Sequence, residues 1–234
     1  QEGSYMPCFT VGHGTARSLA AAFGVPCRTF SHQDGHIAAA LYSGRRLDWM
    51  GKEFLAFHVS GGTTEAVLVR PRAEKGFSAD LLASSLDLKA GQAIDRVGVM
   101  LGLPFPAGRA LEELALRSSA SFRIRPSMKG ASCSLSGIEN KCRTMMERGT
   151  PPEDIALFCL LSVEAALDAM AAALLQERPG LPLLFAGGVM SNSILRRDLT
   201  EKYGATFAEP AFSSDNAAGV AVLAAFAEQK GGMA

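Results

Sequence analysis

His32 and His36 stand four residues apart in Ser31-His32-Gln33-Asp34-Gly35-His36, a spacing that stacks two imidazoles on one face of a helix. Two imidazoles presented together are half of a metal site, and the chain has only four histidines. The other reading is a pair of surface or interface histidines. Choosing between them requires a carboxylate and a pocket from elsewhere in the chain. Three glycine-bearing turns, Gly61-Gly62, Ala107-Gly108 and Gly187-Gly188, would let backbone N–H groups approach a ligand as phosphate and nucleotide sites require. Ordinary turn geometry also explains each of them. Neither G-x4-G-K-[ST] nor G-x-G-x-x-G occurs, which disfavours the P-loop and dinucleotide folds. Asp95, among apolar neighbours, reads either as a hydrogen-bond acceptor for a ribose or as the ion-pair partner of Arg96 or Lys89. Asn192, just after Gly187-Gly188, reads as a helix N-cap or as an adenine or ribose contact.

The elements that must position these residues alternate between strand and helix. Residues 54–60 and 65–69 read as two strands joined by the polar tip Gly61-Gly62-Thr63-Thr64, a β-hairpin. Apolar residues recur at helical spacing over 91–101, and Gly102-Leu103-Pro104 stops that helix. Further helices are expected near 113–117 and 136–147, and a long one over 154–176 that is apolar on most faces and therefore buried. A buried strand over 181–185 feeds Gly187-Gly188 and a helix through Leu199. Ser213-Ser214-Asp215-Asn216 is expected to cap a last helix over 217–229. Upstream, residues 14–23 read as a helix and 26–30 as a short strand. The first residue is Gln1 rather than Met, so the chain reads as a fragment that enters its fold midway.

Composition narrows the class. At 234 residues and 48% hydrophobic the chain can bury one large core or two modest lobes. The 23 basic and 23 acidic residues cancel, so bulk charge does not point to nucleic acid, although a local basic stripe would escape that test. Five cysteines without a C-x-x-C pair suit reduced thiols in a cytoplasmic protein. No signal-peptide pattern or uninterrupted 18-residue apolar run is present, and no membrane partner is expected.

Taken in order, H-x3-H, S-G-G-T-T, A-G-Q-A-I-D-R followed by G-L-P-F-P-A-G, S-L-S-G, G-G-V-M-S-N and S-S-D-N-A-A resemble the TsaD/Gcp family. That family comprises tRNA threonylcarbamoyladenosine transferases, formerly labelled O-sialoglycoprotein endopeptidases, within the actin-like ATPase (ASKHA) superfold. The resemblance runs from about Val11 to Gln229, and the family's first segment is absent. It implies an α/β fold of two lobes with the first incomplete: residues 1–52 plus 206–234 a remnant of the first, and 53–205 the second. An incomplete lobe exposes a sheet edge, which a homodimer would cover.

The same resemblance implies roles. His32 and His36 match the metal ligands and Asp215 the carboxylate ligand, a set that suits one Fe(II) or Zn(II) per subunit with open positions. Val59, Ser60, Gly61, Gly62 and Thr63 match the hairpin that contacts ATP or threonylcarbamoyl-AMP. Asp95 and Gly108 match ribose and adenine contacts, Asn192 a base contact, and Glu112 a further contact. The implied reaction transfers a threonylcarbamoyl group from threonylcarbamoyl-AMP to an adenosine next to the tRNA anticodon. Partners would be tRNA and other proteins of that pathway. Several positions depart from the pattern: Thr63 replaces a histidine, Gln92 a glutamate, Ala107 a glycine and Glu139 a lysine, while Asp87-Leu88-Lys89 stands where two acids are usual. The departures keep open a non-catalytic nucleotide- or metal-binding paralogue. A metallopeptidase of the glycoprotease type is disfavoured, because H-E-x-x-H is absent and Asp34 lies between the histidines.

Overall fold

The computed structural model describes residues 7–72, 76–212 and 217–231. Its centre is a five-stranded sheet in the order β3-β2-β1-β6-β7, made by β1 (Phe54–Val59), β2 (Thr64–Pro71), β3 (Phe77–Ser84), β6 (Leu183–Ala186) and β7 (Thr206–Phe207). β1 pairs antiparallel with β2 and parallel with β6. As the middle strand it is covered on both faces, which is why residues 54–59 read as a nearly unbroken apolar run.

Residue parity assigns the two faces. Leu55, Phe57 and Val59 point into the larger core with Ala66, Leu68 and Phe185. There Phe57, Phe185 and Phe207 stack in series, with ring centroids 4.6 and 5.4 Å apart. Helices α3 (Ala90–Met100), α4 (Gly108–Ala115), α5 (Gly137–Glu147), α6 (Pro152–Glu177) and α7 (Ser193–Tyr203) cover this side, together with the small hairpin β4 (Ser127–Lys129) and β5 (Ser132–Ser134). α6 starts with Pro152 at its first position and has Glu153 and Asp154 in its first turn, the residues a helix N-terminus favours. It is long and apolar enough to cross a membrane by composition alone, yet Leu160, Val163, Leu167 and Met170 lie buried in the core.

Phe54, Ala56, Val67, Val69 and Leu184 face the other way, into a second core with α2 (His32–Ser43), Trp49, Met50 and α8 (Ala218–Gly231). α2 and α8 cross at small residues. A β-carbon on Gly219 would fall 1.8 Å from the Gly35 carbonyl oxygen, so only glycine permits this crossing. α1 (Pro7–Phe23) precedes these elements, and Val11, Leu19 and Phe23 on it are exposed.

Some elements differ from the sequence expectation. Residues 26–30 form no strand, because no sheet edge among the described residues runs beside them. α4 begins at Gly108, several residues before the expected helix, so Gly108, which follows α3 as expected, also opens the next helix. β3, β4, β5 and β7 were not expected: β3 is an edge strand with a half-exposed pattern, and the others span three residues or fewer. Ser213-Ser214-Asp215-Asn216, the expected cap and third metal ligand, lies outside the described residues. Cys27, Cys133, Cys142 and Cys159 are unpaired thiols.

Candidate functional site

A capping box starts α2 at the histidines: Ser31 Oγ accepts the Asp34 N–H at 3.0 Å, and Asp34 Oδ2 accepts the Ser31 N–H at 3.3 Å. That fixes Asp34, the acid between the two histidines, as a buried cap. His32 and His36 instead share the opposite face. Their Nε2 atoms are 3.0 Å apart and their rings meet edge to face with centroids at 4.5 Å. Two nitrogens about 2.1 Å from one ion, at right angles about it, stand roughly 3.0 Å apart, so this geometry fits two adjacent positions of a six-coordinate metal.

The strand opposite brings a third imidazole. Phe54 and Ala56 face α2, and the same parity carries His58 to that face, where its ring lies 5.7 Å from His36. Glu65 is the cross-strand partner of His58 and shares its face. His32, His36, His58, Thr63 and Glu65 line one cavity of about 330 Å³. Burial holds the His58 imidazole below its ordinary range; His36 pushes the same way and Glu65 opposes it. Its neutral form, the one that ligates metals and accepts hydrogen bonds, is thereby favoured. His58 and Glu65 are absent from the sequence reading, although a histidine in an otherwise apolar strand, at the parity of Phe54 and Ala56, marks the position. Among the described residues no three His, Cys, Asp or Glu side chains are placed to hold one ion.

At the hairpin tip much of the hydrogen-bonding capacity is used internally. Ser60 Oγ accepts from the Gly62 and Thr63 N–H groups, and Ser60 N–H donates to the Thr63 carbonyl at 2.7 Å. The tip is also fastened to α3: Gly91 N–H donates to the Ser60 carbonyl, and Ala90 N–H to Thr64 Oγ1. Val59 is buried at the end of β1. Gly187, at φ 102°, passes so close that a β-carbon there would lie 2.2 Å from the Val59 carbonyl oxygen, which gives this glycine a packing reason.

The remaining sequence candidates meet around α4. Asp95 Oδ1 accepts the Ala107 N–H at 2.7 Å, which sets Gly108 at the start of the helix. Glu112, one turn on, accepts the Ser193 N–H at 2.6 Å and also the Ser193 hydroxyl. Asn192 is buried and caps α7, its Oδ1 accepting from the Ile194 and Leu195 N–H groups. Asp95 therefore forms neither expected ion pair: Arg96 pairs with Glu139, and Lys89 Nζ donates to the Ser85 carbonyl. Asp95, Arg96, Phe105, Glu139 and Arg143 line an open cavity of about 620 Å³. Glu139, in place of the expected lysine, bridges Arg96 and Arg143 at 3.3 and 2.9 Å. Nearby, Asp87 gathers the Leu135 N–H, the Ser136 N–H and the Ser136 hydroxyl, tying the S-L-S-G segment to the α3 side. Burial alone would raise the Asp87 carboxyl, but these bonds, led by Ser136, hold it below the usual range.

A mixed five-stranded sheet with helices on both faces is the α/β arrangement expected of an actin-like ATPase (ASKHA) fold. Solved structures agree. Full-length HypF in its phosphate- and nucleotide-bound form superposes with TM-score 0.64 at 14% identity, over 86% of this chain and 43% of that one. HypF from T. kodakarensis gives TM-score 0.64 at 16% identity, over 92% of this chain and 38% of that one. The chain belongs to the TsaD family, described as tRNA N6-adenosine threonylcarbamoyltransferase, whose profile matches residues 3–222. A tRNA N6-adenosine threonylcarbamoyltransferase of Polaromonas naphthalenivorans (strain CJ2) is 31% identical over 94% of this chain, which spans 64% of that relative's length.

Proposed function

We propose that this chain performs the acyl transfer its family is named for. The exocyclic amine of an adenosine beside the tRNA anticodon attacks the carbamoyl carbon of threonylcarbamoyl-AMP. A C–N bond forms, the bond from that carbon to the phosphate oxygen breaks, AMP leaves, and the amine releases its proton. The observation that carries the reading is the convergence of the His32 and His36 Nε2 atoms, 3.0 Å apart, on the cavity that Thr63 of the hairpin tip also lines. Fe(II) or Zn(II), held by His32, His36 and the Asp215 carboxylate, would supply a Lewis acid that orients the substrate and polarises its oxygen. α8, which follows Asp215 in the chain, packs its Gly219 against Gly35, one residue from His36. On this reading Val59 to Thr63 flank the acyl phosphate, while Asp95, Gly108, Glu112 and Asn192 hold the nucleoside of ATP or threonylcarbamoyl-AMP. Holding the two reactants in register supplies the rest of the rate. The setting is cytoplasmic, with the other proteins of the pathway as partners.

The second reading, a nucleotide- or metal-binding paralogue without turnover, draws on one observation. Ser60 Oγ and Asn192 Oδ1 already serve backbone N–H groups. The deciding experiment supplies the chain with threonylcarbamoyl-AMP, unmodified tRNA and Fe(II) or Zn(II), and seeks the modified adenosine by mass spectrometry. Product that vanishes in His32→Ala supports the transferase. Metal and nucleotide binding without product, while a known transferase works alongside, leaves the paralogue.

A further inference from the structure

The chain is neutral overall, but its charge is unevenly spread: residues 117–148 contain seven basic and two acidic residues. From Ser121 to Lys129, ending in β4, exposed and half-buried residues alternate. Phe122 turns inward against the Phe158 ring at 5.4 Å, and Met128 packs on the large core. The odd positions Arg123, Arg125, Ser127 and Lys129 are exposed. Across β4–β5, Ser127 pairs with Ser134, which places both hydroxyls on the face that carries Arg125 and Lys129. Lys141, from α5, reaches the same place: Arg125, Ser127, Ser134 and Lys141 line a cavity of about 240 Å³. Among the described residues Arg123, Arg125, Lys129 and Lys141 pair with no carboxylate. Asp87, which bonds the cavity-lining Ser136, already accepts from the Ser136 hydroxyl and the Leu135 N–H. Two unpaired cations and two hydroxyl donors around a small opening, continued by further exposed cations at alternate positions of the same segment, are the contacts a phosphodiester backbone takes.

We infer that this face receives the backbone phosphates of RNA, one of them in the Arg125–Lys141 cavity and its neighbours on Arg123 and Lys129. The choice of RNA over another polyanion rests on the transferase reading; the surface itself does not. Phosphate contacts position a nucleic acid without reading its sequence, so the effect is the same for any RNA of equal length.

The test measures binding of the unmodified tRNA and of an unrelated RNA of the same length across a salt series. Arg125→Gln/Lys141→Gln is expected to weaken both RNAs about tenfold or more at moderate salt. It should also lower the slope of log affinity against log salt by about 1.5, the effect of removing two phosphate contacts. Arg197→Gln, a cation removed elsewhere, should leave the slope unchanged, and circular dichroism verifies folding of each variant. A double variant with wild-type slope and affinity overturns the inference. So does a wild-type chain that binds an acidic protein or heparin through this face and no RNA. RNA binding of the expected kind without formation of the modified adenosine would sustain the surface and end the transferase reading. Modification by a chain whose double variant binds and reacts normally would do the reverse.

Discussion

In the histidine pocket the imidazoles converge on a cavity; Asp95, Glu112 and Asn192 each commit an oxygen to backbone N–H groups, although Asp95 also lines the larger cavity. His32, His36 and His58 approach one another around a single cavity, where the start of α2 meets the end of β1. Asp95, Glu112 and Asn192 instead start helices or fasten one helix to the next. The difference predicts how substitutions divide. Changes in the first region should remove ligand affinity and spare stability, and changes in the second should cost stability before anything else.

The largest effect is expected from His32→Ala or His36→Ala. Loss of one of two converging imidazoles should weaken metal binding by about 100-fold or more, since even residues behind a ligand are worth 10- to 100-fold. Both histidines are at least partly exposed, so stability should change by less than about 0.5 kcal/mol. Titration with Zn(II) beside a denaturant melt reads both quantities. An unchanged metal content, or a variant that unfolds, breaks the comparison at its stronger end.

Next is Asn192. Its replacement by alanine removes a buried cap and should cost about 1–2 kcal/mol. Asn192→Asp sharpens the comparison, because aspartate caps as well as asparagine but lacks the amide donors. It should melt within about 0.5 kcal/mol of the wild type. A loss of ATP affinity in that variant would show that Asn192 serves ligand and helix together; unchanged affinity would leave it a cap alone.

These regions also differ in how far the sequence disclosed them. His32 and His36 were legible because helical spacing is local, and four residues suffice to state it. Asp95, Gly108, Glu112 and Asn192 span nearly a hundred residues, and only the order of motifs brought them to notice. No periodicity reveals that Glu112 reaches Ser193, since that contact depends on how α4 meets α7. His58 was legible in principle from the parity of Phe54 and Ala56, but an apolar strand buried on both faces hides which face matters. The strands β3, β4, β5 and β7 escaped because they are edge or very short elements, formed by the partner they meet rather than by their own pattern.

Glu164, on α6, belongs to neither region and tests whether a perturbed titration marks a site here. Burial raises its carboxyl to about 7, with Asp168 and Asp198 adding to the effect and Lys202 opposing it. Between its ordinary value of 4.5 and about 7 the folded chain keeps a proton that the unfolded chain has released. Stability should therefore be greatest at the acid end and decline as pH rises through that window. Allowing for solvent screening, the decline is on the order of 1–2 kcal/mol. Glu164→Gln should flatten that part of the profile and leave metal affinity unchanged. A pH profile that keeps its slope in the variant would assign the decline to another group.

The smallest effect is expected where the family's imidazole is missing. Thr63→His restores histidine to the hairpin tip, yet His58 already brings an imidazole to the cavity that Thr63 lines. A fourth ring there adds another like charge whenever the rings are protonated, and it supplies no donor type the cavity lacks. Metal affinity in Thr63→His should therefore stay within about threefold of wild type, less than roughly 0.7 kcal/mol. A rise of tenfold or more would mean that the imidazole must stand on the tip itself. His58 would then be a packing residue of β1, and the open character ascribed to this pocket would belong to α2 alone. In a His58→Ala background the same substitution gives the converse reading: if the two positions are interchangeable, Thr63→His recovers what His58→Ala loses.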